Sequence, residues 1–305
     1  MKHMVTLPQG AVVPALGIGT WHTAETTIPR QRVRESAALR AGISSGMRLI
    51  DTAEMYSDGE SERLVGQAVA AVTAPVDNPV IKRGSTFLSR SDLFLVSKVY
   101  PWNAGRGHIF DSCKASLKRL GTDYLDLYLL HWRGAVPLAE TVECMEELVE
   151  QGLIRGWGVS NFDVADMEEL WSLPNGDHCQ VDQVLYHVAS RGIEFALQPW
   201  LTQHGVATMA YCPLAQGGFL STNGHSLFHD PTIVSIAAAH HATAAQVLLA
   251  WVIRNGSTIA MPMSSTARHT QENAKADEVE LTSSDLAAID KAFPAPTHKV
   301  DLDTQ

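Results

Sequence analysis

Strand-like and helix-like segments alternate along nearly the whole chain. Eight short apolar segments predict strands, and they lie near residues 16–19, 48–51, 93–98, 125–131, 154–159, 179–184, 206–211 and 257–261. The longer segments between them are amphipathic with the period of a helix. Eight strand-helix units on one chain favour an α/β fold, a (β/α)8 TIM barrel, over an open doubly wound sheet. We therefore treat residues 1–305 as one barrel domain.

Helix ends are marked as clearly as the strands. Apolar side chains recur at helical spacing between Leu138 and Leu153, and Gly152 can end that helix before the next strand. Gly121 can end the preceding helix in the same way. Thr282 and Asp285 have the spacing of a capping box at the start of a further helix.

The charge of the chain limits its partners. The 305 residues include 33 Asp and Glu against 23 Lys and Arg, which leaves a formal net charge of −10. An acidic chain does not favour non-specific binding to nucleic acid or to an anionic membrane, because both require a basic face.

The four cysteines lack the spacing of a metal site and are predicted to be buried free thiols; they are Cys113, Cys144, Cys179 and Cys212. The N-terminus has no pattern of a secretory signal, and no apolar run reaches the ~18 residues of a membrane span. We expect a soluble cytoplasmic protein without a metal.

Four titratable side chains stand at or just after the ends of three successive predicted strands. Asp51 and Tyr56 lie in RLIDTAEMY, Lys98 in LFLVSKVY and His131 in DLYLLHW. Catalytic groups in such barrels come from the C-terminal ends of strands, so the four are expected to meet. A Tyr hydroxyl has an unperturbed pKa of about 10. A nearby ammonium would lower that pKa, a carboxylate would position the ammonium, and an imidazole would orient a carbonyl.

Each of these residues also has an ordinary structural interpretation. Asp51 could cap a helix, Lys98 could be a surface residue, His131 a core imidazole and Tyr56 a packing residue, but their joint occurrence favours a proton-transfer site. A Schiff-base lyase that uses Lys98 is a separate hypothesis, since a lysine at a strand end can attack carbonyls. A carboxylate at Asp51 would keep such a lysine protonated and argues against it.

A series of separated motifs resembles the aldo-keto reductase family and spans nearly the whole chain in the family's order. Among aldo-keto reductases, the chain is most similar to bacterial reductases of small aldehydes such as methylglyoxal. The motifs are GIGTW, RLIDTAEMY, LVSKVYPWNA, DLYLLHW, WGVSNF, MAYCPL and MPMSSTARHTQEN.

The resemblance implies a barrel that binds a nicotinamide cofactor without a Rossmann fold. Gly17 and Gly19 begin a glycine pattern, but His22 stands where the third glycine would be needed. The resemblance also implies that Tyr56 is the general acid, that Lys98 and Asp51 tune it, and that His131 orients the substrate carbonyl.

Cofactor-binding positions are carried over from the family one at a time. Ser160, Asn161 and Gln183 match residues that hydrogen-bond the nicotinamide carboxamide. Tyr211 matches the aromatic residue on which the ring stacks, and Leu214 would run along the pyrophosphate.

The adenine end of the cofactor departs from the family pattern. Met263 stands where members that prefer NADPH usually have Lys. Ser264 and Arg268 remain as candidate partners of the 2′-phosphate, and Glu272 and Asn273 match residues that contact adenine. The resemblance therefore favours NADPH, and the loss of the lysine keeps NADH as an alternative.

Substrate size is indicated by three tryptophans and by short loops. Trp21, Trp102 and Trp132 follow three of the strands and are expected to wall the substrate pocket. The segments after His131 and after Phe293 are short, so we expect an open pocket for small aldehydes or ketones in a monomeric enzyme. A cofactor-binding regulatory or redox-sensing subunit on the same scaffold is the alternative.

Two further segments are interpreted structurally. VTLPQGAVVPAL resembles the family's N-terminal β-hairpin that plugs the barrel bottom, with Gln9 and Gly10 as its turn. Residues 72–90 are predicted to form a long loop opposite the active face, because they contain several Pro and Gly residues.

Overall fold

A computed structural model of the chain describes residues 1–73, 88–218 and 226–304. In this part of the chain, eight parallel strands form one sheet in sequence order. Each overlaps one of the eight predicted segments. They are β3 Ile18–Gly19, β4 Leu49–Asp51, β5 Phe94–Val99, β6 Leu127–Leu130, β7 Trp157–Ser160, β8 Val181–Leu185, β9 Ala207–Tyr211 and β10 Thr258–Ala260.

The first and last strands of this sheet close it into a barrel. Leu16 forms a parallel bridge with Ala260, and the Gly17 amide donates to the Ala260 carbonyl at 2.9 Å. Further along, the Gly19 amide donates to the Pro262 carbonyl at 3.1 Å. These contacts confirm the predicted (β/α)8 barrel.

The helices surround the barrel and alternate with its strands. They are α1 Pro29–Ser44, α2 Glu60–Thr73, α3 Ile109–Leu120, α4 Leu138–Glu150, α5 Val164–Trp171, α6 Leu197–Gln203, α7 Ala215–Gly218, α8 Pro231–Ala239, α9 Ala244–Ile253, α10 Ala267–Ala274 and α11 Ser283–Ala292. The barrel strands are almost entirely buried because helices cover their outer face.

The predicted helix ends agree with the structure. Gly121 follows α3 with φ 65°, and Gly152 has φ 70° just beyond α4. Residues with a β-carbon rarely adopt this left-handed conformation, so glycine ends both helices at low cost. Thr282 and Asp285 form the expected capping box of α11.

The N-terminal hairpin is present as predicted. Strands β1 Met4–Thr6 and β2 Val12–Pro14 pair antiparallel, and the turn includes Gln9 and Gly10. The hairpin borders the same cavity as Phe94 at the start of β5, and so lies at the end of the barrel where the strands begin.

Most of the predicted loop at 72–90 lies outside the described residues. Helix α2 extends to Thr73, and residues 90–92 form a single 3-10 turn before β5. Among the described helices, none is long and apolar enough to cross a membrane by itself. Only α8 and α9 together reach that length and composition, as a pair bent by 91°.

Candidate active site

Four titratable side chains meet at the C-terminal end of the barrel, as the sequence predicted. Asp51 is the last residue of β4, Lys98 lies near the end of β5, and His131 follows β6 directly. Tyr56 returns from the turn after β4 to the same place. Three neighbouring parallel strands therefore deliver the group.

Lys98 is the centre of this cluster. Its side chain is 0% exposed, and Nζ lies 2.8 Å from Asp51 Oδ2, 3.0 Å from Tyr56 Oη and 2.9 Å from the Thr52 carbonyl oxygen. Three oxygen acceptors match the three protons of an ammonium group. Burial lowers the pKa of Lys98, and the Asp51 carboxylate opposes that change.

The pKa of Tyr56 changes in the direction opposite to our expectation. Burial raises it well above 10, and the negative charge of Asp51 adds to the increase. The expected lowering by Lys98 is wrong for the free site, because the buried phenolate loses more from desolvation than it gains from the ammonium. Tyr56 therefore rests as a neutral phenol that holds its proton.

His131 is a neutral imidazole at ordinary pH. Burial and the nearby Lys98 ammonium lower its pKa to about 2. Its ring centroid lies 5.8 Å from that of Tyr56, edge to face, and no described residue pairs with its buried Nδ1. Such a ring can donate one hydrogen bond to an oxygen but cannot act as a charged acid at neutral pH.

A second network joins the residues expected to bind nicotinamide. Ser160 Oγ donates to the backbone carbonyl oxygen of Gln183 at 2.7 Å, and Tyr211 Oη donates to Asn161 Oδ1 at 2.8 Å. Asn161, with φ 59°, directs its side-chain amide to the His131 carbonyl at 3.2 Å. Gln183 Nε2 donates to Asp51 Oδ1 at 2.9 Å and so connects the two networks.

Both networks border a cavity of about 470 Å³. Its wall combines an aromatic face at Tyr211 with the amides of Asn161 and Gln183, and Gln183 Oε1 accepts no hydrogen bond from the described residues. This donor and acceptor set fits a nicotinamide carboxamide. The wall is formed by Gly19, Thr20, Trp21, His22, Asp51, Met55, Tyr56, His131, Trp132, Ser160, Asn161, Gln183, Tyr211, Cys212, Pro213, Leu214, Gln216, Gly217, Met261, Pro262 and Met263.

The three predicted pocket tryptophans occupy different positions. Trp21 and Trp132 line the cavity, whereas Trp102 does not and is 59% exposed. Trp102 instead stacks on Tyr100 with centroids 4.3 Å apart and meets Trp132 edge to face at 5.9 Å. Its 3-10 turn directs it outside the wall, a direction that the spacing of the sequence does not reveal.

Cys212 was predicted to be a buried thiol, and this prediction is wrong. Cys113, Cys144 and Cys179 are buried and free, but Cys212 is partly exposed and lines the cavity beside Tyr211. Thr20 and His22 also line it and were not singled out as pocket residues. The signal for all three was their position beside predicted site residues.

The candidate phosphate and adenine residues lie at the edge of the site on and before α10. Arg268 donates from Nε to Glu272 Oε1 at 2.8 Å, and its side chain is 83% exposed. Ser264 Oγ interacts with the Thr266 backbone just before this helix, and Asn273 is buried. None of these four candidates lines the cavity described above.

Comparisons with known proteins agree with this geometry. The model of the family described as "Aldo/keto reductase family" matches residues 15–293. Methylglyoxal reductase YeaE of Escherichia coli (strain K12) is 51% identical over 302 residues, which cover 99% of each chain. Methylglyoxal reductase DkgB of Salmonella typhi is 30% identical over 282 residues, which cover 91% of this chain and 92% of the relative.

Solved structures of aldo/keto reductases are also similar to this chain over its whole length. A crystal structure of an aldo/keto reductase from Klebsiella pneumoniae in complex with NADP and acetate superposes with a TM-score of 0.90 at 48% identity, covering 100% of both chains. A second Klebsiella pneumoniae structure, in complex with NADPH, has the same TM-score, identity and coverage.

Proposed function

The chain belongs to the aldo/keto reductase family, and on that premise we propose that it reduces small aldehydes and ketones to alcohols, with Tyr56 as the proton donor. Membership makes it an oxidoreductase. The observation that carries the proposal is the contact of Tyr56 Oη with Lys98 Nζ at 3.0 Å, with Lys98 held in turn by Asp51.

The proton transfer follows from this contact. Tyr56 holds its proton in the free site because burial raises its pKa. When negative charge develops on a substrate oxygen beside it, the proton can move to that oxygen while the phenolate forms next to the Lys98 ammonium. The ammonium is already in place, so this stabilisation requires no rearrangement in the transition state.

His131 has a separate task in this proposal. Its neutral ring lines the cavity, and a proton on Nε2 would be donated to the substrate carbonyl. That hydrogen bond would polarise the carbonyl and hold its oxygen near Tyr56 Oη. Because the pKa of His131 is about 2, Tyr56 is the acid of the pair.

The cofactor is NADPH, which supplies a hydride to the carbonyl carbon when bound. Two similar Klebsiella pneumoniae structures contain NADP or NADPH. In this chain, Ser160, Asn161 and Gln183 would hold the carboxamide and Tyr211 would support the ring. Ser264, Arg268, Glu272 and Asn273 remain our candidates for the adenine end, and Met263 keeps NADH as a weaker alternative.

Methylglyoxal and other small aldehydes are the proposed substrates. Two relatives are methylglyoxal reductases, and one of them is 51% identical to this chain. The described tail after Phe293 does not line the cavity; it contacts the barrel through Lys299 with Asp163 and through Asp303 with Ser190. Among the described residues, therefore, this tail adds nothing to the cavity wall that could hold a bulky ketone in a reactive pose.

The alternatives from the sequence are less well supported. A regulatory subunit that only senses the cofactor does not require an intact Asp51, Lys98 and Tyr56 cluster. A Schiff-base lyase requires an accessible Lys98, but Lys98 is buried and does not line the cavity. Sodium borohydride should therefore fail to trap a substrate on this residue.

A single assay tests the proposal. NADPH and NADH oxidation should be followed with methylglyoxal, small aromatic aldehydes, sugars and a steroid ketone. We expect the highest kcat/KM with NADPH and small activated aldehydes. No turnover with any carbonyl would support the regulatory alternative, and a strong preference for the steroid would contradict the proposed substrate class.

A further inference from the structure

A second cavity lies at the opposite end of the barrel, between the N-terminal hairpin and the starts of the strands. Its volume of about 500 Å³ is close to that of the catalytic cavity, and both are in the range of small-molecule sites. The catalytic proposal makes no use of it. It is lined by Met4, Gln9, Ala11, Val12, Val13, Pro14, Arg48, Ser91, Asp92, Leu93, Phe94, Asp126, Arg155 and Gln180.

Gln180 presents an unpaired amide to this cavity. The residue is only 3% exposed, yet its side chain makes no hydrogen bond to any described residue. Gly156 leaves room for the amide, because a β-carbon there would lie 1.7 Å from Gln180 Nε2. The amide atoms are not sealed from solvent, so the amide opens onto the cavity, where a ligand oxygen can accept a hydrogen bond from Nε2.

Two guanidinium groups border the same space. They belong to Arg155 and Arg48. The Arg155 guanidinium lies 4.0 Å from the Tyr124 ring centroid, and Arg90, which does not line the cavity, lies 4.2 Å from the same centroid. The Arg155 side chain is 57% exposed, and among the described residues its only hydrogen bond is a 3.5 Å contact with Asp126. Arg48 hydrogen-bonds to no described residue through its side chain. Both can therefore bind an anionic group.

The carboxylates at this cavity are already engaged. Asp126 forms an ion pair with Arg90 at 2.8 Å and accepts a hydrogen bond from the Leu95 amide at 2.9 Å. Asp92 accepts hydrogen bonds from the Ser89 amide and hydroxyl at 2.7 and 2.8 Å. Their negative charges still favour a singly charged ligand over a phosphate dianion, since each added charge would be repelled.

The remaining wall is apolar and comes from the hairpin and the start of β5. Val13, Pro14, Leu93 and Phe94 border the cavity, and Val12 adds an exposed apolar side chain at its edge. The wall is therefore shared between apolar and polar side chains, which suits an organic molecule with one charged end.

We propose that this cavity is a second ligand site, which binds a small monocarboxylate with an apolar body. The carboxylate would meet Arg155 or Arg48 and the Gln180 amide, and the body would pack on Phe94 and the hairpin. The proposal is independent of the reductase activity, because it involves none of the residues at the catalytic end.

Titration with 4-fluorobenzoate, followed by fluorine NMR, tests this site on the full chain. Arg155→Gln and Gln180→Leu should each weaken binding about tenfold or more, the effect of losing a charge-assisted or buried hydrogen bond. Arg106→Gln is the matched control, because it makes the same charge change at an exposed arginine away from both cavities and should leave binding unchanged. Trp132→Ala alters the catalytic cavity and should preserve this binding.

Two results would overturn the proposal. One is an absence of saturable binding; the other is binding that Trp132→Ala abolishes while Arg155→Gln and Gln180→Leu leave it intact, which would assign the probe to the catalytic cavity alone. If Gln180→Leu does not fold by circular dichroism, Arg48→Gln at an exposed position replaces it and should weaken binding in the same direction.

Discussion

The two ends of the proposed cofactor site are built differently. At the nicotinamide end, Lys98 is fully buried, forms an ion pair with Asp51 and donates a hydrogen bond to Tyr56. At the adenine end, Arg268 is 83% exposed and pairs with Glu272 one helical turn away. The first arrangement is fixed before any ligand binds, whereas the second leaves a long side chain largely in water.

This difference has an energetic consequence. A buried charge has few alternative partners, so removing one member of its network leaves the others uncompensated. An exposed ion pair exchanges easily with water and contributes little. We therefore expect mutations at the nicotinamide end to have large effects and mutations at the adenine end to have small ones.

The largest effect is expected for Tyr56→Phe. Loss of the proposed general acid should reduce kcat for methylglyoxal by about two to four orders of magnitude. NADPH affinity should change little, because the ring is retained. The measurements are steady-state kinetics and fluorescence titration of NADPH, and near-normal turnover would remove Tyr56 from the mechanism.

Lys98→Met should damage both catalysis and stability. The substitution keeps the length of the side chain but leaves the Asp51 carboxylate buried without its cation, which costs about 3–5 kcal/mol in unfolding free energy. Urea denaturation measures this change. Lys2→Met is the matched control, because the exposed Lys2 and Glu280 pair at 3.3 Å should contribute no more than about 1 kcal/mol. Equal losses would contradict the contrast between buried and exposed pairs.

His131 should make stability depend on pH. Its pKa is about 2 in the folded protein and about 6.5 when unfolded. Its stabilising contribution is therefore fully present above pH ~6.5 and is lost as the pH falls, because only the unfolded chain takes up the proton. Well below the unfolded pKa, the loss should approach about 1.4 kcal/mol per pH unit.

Comparison with His131→Gln isolates this contribution. Between pH 6 and 4.5, denaturation curves of the wild type should shift more steeply with pH than those of the variant. Identical slopes would show that His131 is accessible to protons in the folded state. Glutamine at position 131 has no titratable group but keeps a side chain that can form hydrogen bonds.

The smallest effect is expected at the adenine end. Arg268→Ala should weaken NADPH binding only about two- to fivefold, since an exposed pair contributes at most ~1 kcal/mol. NADH binding should be unchanged because it lacks the 2′-phosphate. Met263→Lys should tighten NADPH binding selectively by adding a charge beside the proposed phosphate site. Titration of both cofactors decides the matter, and a hundredfold loss in Arg268→Ala would refute the contrast between the two ends.

Local patterns were sufficient for the strands, several helix ends and the meeting of the four candidate residues. Asp51, Lys98 and His131 each stand at or next to the end of an apolar strand, and the geometry of parallel barrels brings such strand ends together. Their meeting could be predicted because it depends on topology alone. The coupling of Gln183 to Asp51, 132 positions apart, could not be predicted because it depends on the direction of two side chains.

The sequence by itself determined the barrel and the chemical types that meet at its catalytic end, because period, apolar runs and turn residues are local properties. Tertiary structure alone decided that Trp102 lies outside the wall, that Cys212 lies within it, and that the pKa of Tyr56 rises. Side-chain direction and desolvation depend on neighbours from distant parts of the chain, and their balance exists only after the chain has packed.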